Sequence, residues 1–83
     1  MPVSRSREEI SAWCTQFIVN NLGIPPAKVD TSHEFDAYGL DSTAAVGLVV
    51  ELEEWLGRPV DPSVLFEYPT IDALANHLEG EPA

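Results

Sequence analysis

The apolar residues of this chain recur at helical spacing, and glycine or proline cuts every run of them. Ile10, Trp13, Cys14, Phe17, Ile18 and Leu22 follow the i, i+3, i+4, i+7 pattern of one buried helix face. Ser6-Arg7-Glu8-Glu9 precedes them with the S-x-x-E form of a capping box, in which each side chain satisfies a free backbone N–H. Gly23 supplies a C-terminal stop, and Pro25-Pro26 forbids continuation. These signals predict a first helix over residues 7–22.

The second run predicts a helix from Ser42 to Leu56, with Asp41 as N-cap and Gly57 as stop. At about 100° per residue, Ala45, Leu48, Val49, Leu52, Trp55 and Leu56 gather on one side. Thr43, Val46, Gly47, Val50 and Glu54 fall opposite. Asp61-Pro62 opens a short helical turn holding Val64, Leu65 and Phe66, with Pro62 suited to the first helical position. Pro69 ends that turn at Tyr68. Thr70 caps a last helix with Ile71, Leu74, Ala75 and Leu78 on one face, and Asp72 sits in its first turn, where the dipole favours an anion. Gly80 and Pro82 predict a frayed tail. No strand-like alternation, repeat or linker interrupts the pattern, so the expected fold is all-α: a small four-helix bundle with a short third helix.

The connection between the first two helices, residues 23–41, is long for a compact domain, and such loops are usually functional or pinned by their own side chains. Ile24, Val29, Phe35, Tyr38 and Leu40 are the anchors expected to pin it across the bundle.

A chain of 83 residues is enough for one small domain, 1–83 with a core over about 6–79. It is too short to enclose a catalytic cleft with its own walls. Fourteen acidic against four basic residues give a net charge of −10, which argues against nucleic acid and anionic membranes and favours partners with positive patches. Cys14 stands alone, so no intrachain disulfide can form, and its place on the first helix face reads as a buried small hydrophobe. No apolar stretch reaches a membrane span, and Met1-Pro2-Val3-Ser4-Arg5-Ser6-Arg7 lacks the apolar run of a secretory signal. The expected location is the cytoplasm, and the expected state is a monomer.

Chemistry concentrates at Gly39-Leu40-Asp41-Ser42, where a glycine turn delivers a serine hydroxyl to a helix start. Free backbone N–H groups and the positive end of the dipole make that place hospitable to a phosphate ester. Standing alone, the four residues would read as an ordinary cap.

They do not stand alone. Tyr38-Gly39-Leu40-Asp41-Ser42 resembles the attachment motif of acyl carrier proteins. About twenty-five residues later, Leu65-Phe66-Glu67-Tyr68-Pro69-Thr70-Ile71 resembles the signature opening the last helix of that family, especially in polyketide synthases. Gly57-Arg58-Pro59-Val60 fits the loop after the family's second helix, and the resemblance runs from the first helix to Leu78. It implies a four-helix carrier domain in which Ser42, flanked by Gly39 and Asp41, bears a covalent 4′-phosphopantetheine arm. A separate phosphopantetheinyl transferase would attach that arm, whose thiol holds acyl intermediates as thioesters. The implied partners are a ketosynthase, an acyltransferase or acyl ligase, and tailoring enzymes of a polyketide or related pathway, antibiotic biosynthesis among them. The implied role is carriage without catalysis. A peptidyl or aryl carrier of a nonribosomal peptide system shares the serine and helix layout and stands as an alternative. An unmodified acidic helical interaction module is an alternative of another class.

The chain departs from the family pattern at Thr43, where Leu, Ile or Met is common, and at Gly47, where an acidic residue is common. Both lie on the outward side of the second helix with Val46 and Val50, beside Glu53 and Glu54. Exposed apolar residues on an acidic helix are candidate partner anchors, so these six form the expected partner interface. Other groups read as structural. His33, nine residues before Ser42, is a loop residue, because a serine modified in trans needs no resident base. His77 reads as a surface residue and Trp13 and Trp55 as core. Asp30, Asp36 and Asp41 lack the spacing of an EF-hand.

Overall fold

A computed structural model describes residues 5–79 and contains four helices. They are α1 (Arg7–Leu22), α2 (Ser42–Leu56), α3 (Val64–Glu67) and α4 (Ile71–Leu78), with short 3-10 turns at Pro26–Lys28 and Phe35–Tyr38. The predicted caps close the helices. Ser6 and Glu9 form the reciprocal capping box, with Glu9 N–H on Ser6 Oγ at 3.2 Å and Ser6 N–H on Glu9 Oε1 at 3.0 Å. Thr70 Oγ1 accepts from Ala73 N–H at 3.0 Å. Gly23 and Gly57 end α1 and α2, donating to the carbonyls of Val19 and Glu53.

The core is drawn from all four helices. Ile10, Cys14, Phe17 and Ile18 of α1 meet Leu48, Val49, Leu52 and Leu56 of α2, Val64 of α3, and Ile71, Leu74, Ala75 and Leu78 of α4. Helix α1 packs along α4, and Arg7 ties their ends by donating to Asn76 Oδ1 and, through its backbone N–H, to Glu79 Oε2, each at 3.2 Å. Ala45 and Trp55, expected on the core side of α2, are only half buried.

The long connection is pinned, and by more than its anchors. Phe35 and Leu40 are buried, and Ile24, Val29 and Tyr38 pack partly against the core. Backbone pairing adds to them: Glu34 and Thr70 form an isolated antiparallel bridge, Phe35 N–H donates to Pro69 O at 2.9 Å, and Asp72 N–H donates to Thr31 O at 3.0 Å. The last bond occupies an N–H in the first turn of α4, so the loop serves as part of that helix's cap.

Two expectations need correction, and a third falls outside the described residues. Helix α3 starts at Val64, not at Pro62, because Asp61 Oδ1 accepts from Ser63 N–H at 2.9 Å and holds Pro62 and Ser63 in a turn. Trp13 and Trp55 are rim residues, not core. They are half buried and stack on each other with ring centroids 5.5 Å apart, and the Arg5 guanidinium lies 4.4 Å over the Trp55 ring. Both pack against the core from its edge, and the face of Trp55 is covered by the Arg5 cation. The tail predicted from Gly80 and Pro82, like Met1 to Ser4, lies outside the described residues. No helix among the described residues is long and apolar enough to cross a membrane.

Candidate functional site

Ser42 is exposed at the first position of α2, and the residues before it explain how it gets there. Gly39 closes the Phe35–Tyr38 turn at φ 78°, ψ 23°. That left-handed conformation costs other residues about 1–2 kcal/mol. A Cβ at Gly39 would meet nothing within 4 Å, so the dihedral angle and not crowding calls for glycine. Leu40 then anchors in the core. With Leu40 buried, Asp41 and Ser42 stand at the surface.

Asp41 is the N-cap of α2. Its Oδ1 accepts from Ala44 N–H and its carbonyl from Ala45 N–H, both at 2.8 Å. The N–H groups of Ser42 and Thr43 find no partner among the described residues. The helix start therefore presents two free donors, the positive end of the dipole and an exposed hydroxyl in one place, which suits a phosphate ester.

A groove of about 500 Å³ opens beside Ser42. Phe35, Leu40, Ala45, Pro62, Leu65 and Phe66 are among its lining residues. Glu34, Asp36 and Asp41 also line it, and all three are exposed.

The residues expected to face partners are distributed unevenly. Val46 and Val50 are 52% and 49% exposed, and Thr43 and Glu54 are exposed. Gly47 is half buried, yet a Cβ built there meets nothing within 4 Å, so no packing within the chain requires glycine. Glu53 has an internal partner: it is half buried, and its Oε1 accepts from Val60 N–H at 3.0 Å, which ties the end of α2 to the following turn. Sequence reasoning left Phe66 out of this face, although it is 89% exposed. The available signal was helical angle, since in so short a helix a residue two places after buried Val64 must point away from it.

His33 is not brought to Ser42. It is exposed and lies 3.6 Å from the Asp30 carboxylate. Asp30 in turn accepts from the hydroxyl and backbone N–H of Ser32, which hold its carboxyl below the usual range. His77 is exposed and stacks on Tyr68 with centroids 4.1 Å apart. Burial pushes the Cys14 thiol up to about 12, so it is no nucleophile at neutral pH. Among the described residues no group of His, Cys, Asp or Glu could hold a metal ion.

Comparison with known proteins matches residues 15–78 to the family described as "Phosphopantetheine attachment site". One component of the phenolphthiocerol/phthiocerol polyketide synthase of Mycobacterium tuberculosis is 40% identical over 84% of this chain. The chain spans only 4% of that component's length. An acyl carrier protein from Anabaena sp. PCC 7120 with a variant phosphopantetheinylation-site sequence is 35% identical and superposes with a TM-score of 0.84, covering 95% of this chain and 91% of that one. A free-standing peptidyl carrier protein from Acinetobacter baumannii is 32% identical with a TM-score of 0.81, covering 88% of this chain and 91% of that one.

Proposed function

The chain belongs to the phosphopantetheine attachment site family, and from that premise we propose that Ser42 is its attachment residue and that its cargo comes from a polyketide assembly line. Members of this family are carriers and not catalysts, so the chemistry asked of this chain is presentation. The observation that carries the reading is the exposed Ser42 hydroxyl at the start of α2, next to two unpartnered N–H groups. A phosphopantetheinyl transferase would act in trans: Ser42 Oγ would bond to the phosphopantetheine phosphorus of coenzyme A, the pyrophosphate bond would break to release adenosine 3′,5′-bisphosphate, and the hydroxyl proton would pass to the transferase. The free N–H groups of Ser42 and Thr43 would hold the phosphate where the helix end favours negative charge. When bound, the arm supplies a thiol on which acyl groups ride as thioesters. The chain's own residues do the rest: Gly39 and Leu40 fix where Ser42 emerges, and Asp41 keeps the first turn of α2 formed.

Partners that load or unload the arm approach over Ser42, Val46 and Val50, which share one row of α2 at four-residue spacing. Acyltransferase or acyl ligase, ketosynthase and tailoring enzymes are the proposed visitors. The net charge of −10 draws basic surfaces toward this acidic domain. A peptidyl carrier role is the second reading, supported by the likeness to the Acinetobacter baumannii protein.

Intact mass after incubation with coenzyme A and a broad-specificity transferase tests the attachment. The parent gains one phosphopantetheine and Ser42→Ala gains none. A Ser42→Ala protein that still gains the arm would remove Ser42 from the role.

A further inference from the structure

Gly47 weakens α2 and gains nothing inside the chain. Glycine is the poorest residue for a helix interior after proline. Its φ is not positive here, and a Cβ built on it meets nothing within 4 Å, so neither the backbone nor packing within the chain calls for it. What it leaves on the surface is a socket. The neighbours of a helix position are the residues three and four places away. For Gly47 these are Thr43 and Ala44 toward Ser42, and Val50 and Glu51 away from it. Thr43, Val50 and Glu51 are exposed and stand around the bare glycine, with exposed Val46 beside it. We propose that this socket receives a bulky apolar side chain from a helix of the partner enzyme, and that Lys or Arg on the same helix meets Glu51 and Glu54.

The inference rests on the reading that partners approach over α2, and adds what the partner must bring. Packed helices lie as close as their contact residues allow, and a glycine at the crossing permits a close approach. A side chain set into such a hole is surrounded on all sides, as in knobs-into-holes packing. From Ser42 to Val50 no residue is charged, so an apolar contact there desolvates no ion. The charges begin at the far side of the socket. Glu51 and Glu54 are both exposed, and neither has an ion-pair partner among the described residues. The next cation along, Arg58, donates to the Leu78 carbonyl at 3.1 Å. A basic partner helix therefore meets two open carboxylates beside an apolar hole, and this fixes its direction along α2. Gly47 is five residues from Ser42, about 7.5 Å along the helix axis, so a side chain seated there also fixes where the arm enters the partner. A partner lacking the apolar side chain leaves the hole unfilled, which makes the socket a device for choosing partners.

The test uses the full chain bearing an arm that ends in a bromoacetamide, and a ketosynthase of the same assembly line. The ketosynthase cysteine thiolate forms a C–S bond to the acetamide carbon and bromide leaves, so the crosslinking rate reports docking. Every variant is first brought to full attachment, shown by intact mass. Gly47→Ala is expected to crosslink within about threefold of the parent, and Gly47→Leu to be slower by about tenfold or more, the scale of overpacking a fitted contact. Ala12→Leu adds the same bulk on an exposed part of α1 and is expected to crosslink like the parent. The Glu51→Gln/Glu54→Gln double variant is expected to be several-fold slower at low salt and to lose much of the parent's salt dependence. Gly47→Leu is expected to melt at or above the parent, since leucine is a good helix former in open space. A Gly47→Leu protein that crosslinks like the parent would overturn the inference. So would an equal loss from Ala12→Leu, a double variant with the parent's salt dependence, or a Gly47→Leu protein that melts far below the parent. A parent that carries the arm and does not crosslink would overturn the polyketide reading beneath the inference and the inference with it, and a parent that takes up no arm would overturn the Ser42 assignment.

Discussion

The backbone N–H of Phe35 donates to the carbonyl of Pro69 at 2.9 Å, and this bond joins the loop side of the groove beside Ser42 to the α3–α4 junction. The two residues are far apart in sequence. Their pairing, with the Glu34–Thr70 bridge next to it, turns a long connection into a fixed wall. Ser42, the proposed attachment residue, therefore lies beside elements held by backbone bonds, and fixed elements set the direction in which its side chain emerges.

Capping and the proposed attachment fall on adjacent residues and separate by mutation. Asp41→Ala removes the bond to Ala44 N–H and should cost about 1 kcal/mol, within the range of 0.5–2 for lost N-caps. Ser42→Ala removes an exposed hydroxyl that is not the cap, and should stay within about 0.5 kcal/mol of the parent. Chemical denaturation of both variants checks the order. Equal losses would mean that Ser42 shares the capping role.

The two neighbouring glutamates should behave differently. Glu53→Ala leaves the N–H of buried Val60 without its acceptor and should destabilise by about 1–2 kcal/mol. Glu54→Ala, on the exposed side, should change stability by less than about 0.5 kcal/mol and act instead on partner affinity at low salt. Urea melts of the pair decide it. A Glu53→Ala protein as stable as Glu54→Ala would return Glu53 to the partner face alone.

Gly47 sits inside α2 with open space around it, so Gly47→Ala should stabilise by up to about 1 kcal/mol. Gly47→Glu should gain a few tenths to about 1 kcal/mol by the same propensity argument while obstructing close approach by a partner. Val46→Asp and Val50→Asp should melt near the parent, because both are about half exposed, yet load cargo more slowly through desolvation of the new charge at contact. Thermal melting beside acyl-loading rates separates the effects. If all four variants load like the parent, the face is solvated surface and not an interface.

Cys14 offers a thiol count. Its pKa is raised by burial from 9.0 to about 12, so the protonated thiol contributes stability below pH 9 that is lost as pH rises toward 12, where the unfolded chain releases the proton first. At pH 8 the native unmodified chain should give no fast reaction with an aromatic disulfide reagent, and the phosphopantetheinylated chain one, from the arm. Denaturant should add one thiol to each. A fast-reacting thiol in the native unmodified chain would show that Cys14 is accessible.

Much of this could be read from the sequence because the signals were local. The caps at Ser6, Asp41 and Thr70, and the glycine stops at Gly23 and Gly57, depend on residues within one turn. The exposed row of Val46 and Val50 followed from helical angle alone. The bond from Asp72 N–H to Thr31 O was not legible, because it pairs backbone groups whose meeting depends on the packed bundle. Nor was the role of Glu53, since a carboxylate on a helix shows its position in sequence but not which N–H lies within reach. The groove was equally hidden, for its lining comes from the loop, α2 and α3 with the prolines on either side of it.

The most direct measurement is the site of modification itself. Ser42 and Thr43 are adjacent exposed hydroxyls at the start of α2, and only the first follows the Gly39-Leu40-Asp41 turn directly. Fragmentation of the chain after treatment with coenzyme A and transferase should place the phosphopantetheine on Ser42 alone, with Thr43 unmodified. An arm found on Thr43, on another serine, or on no residue of a folded chain would contradict the account.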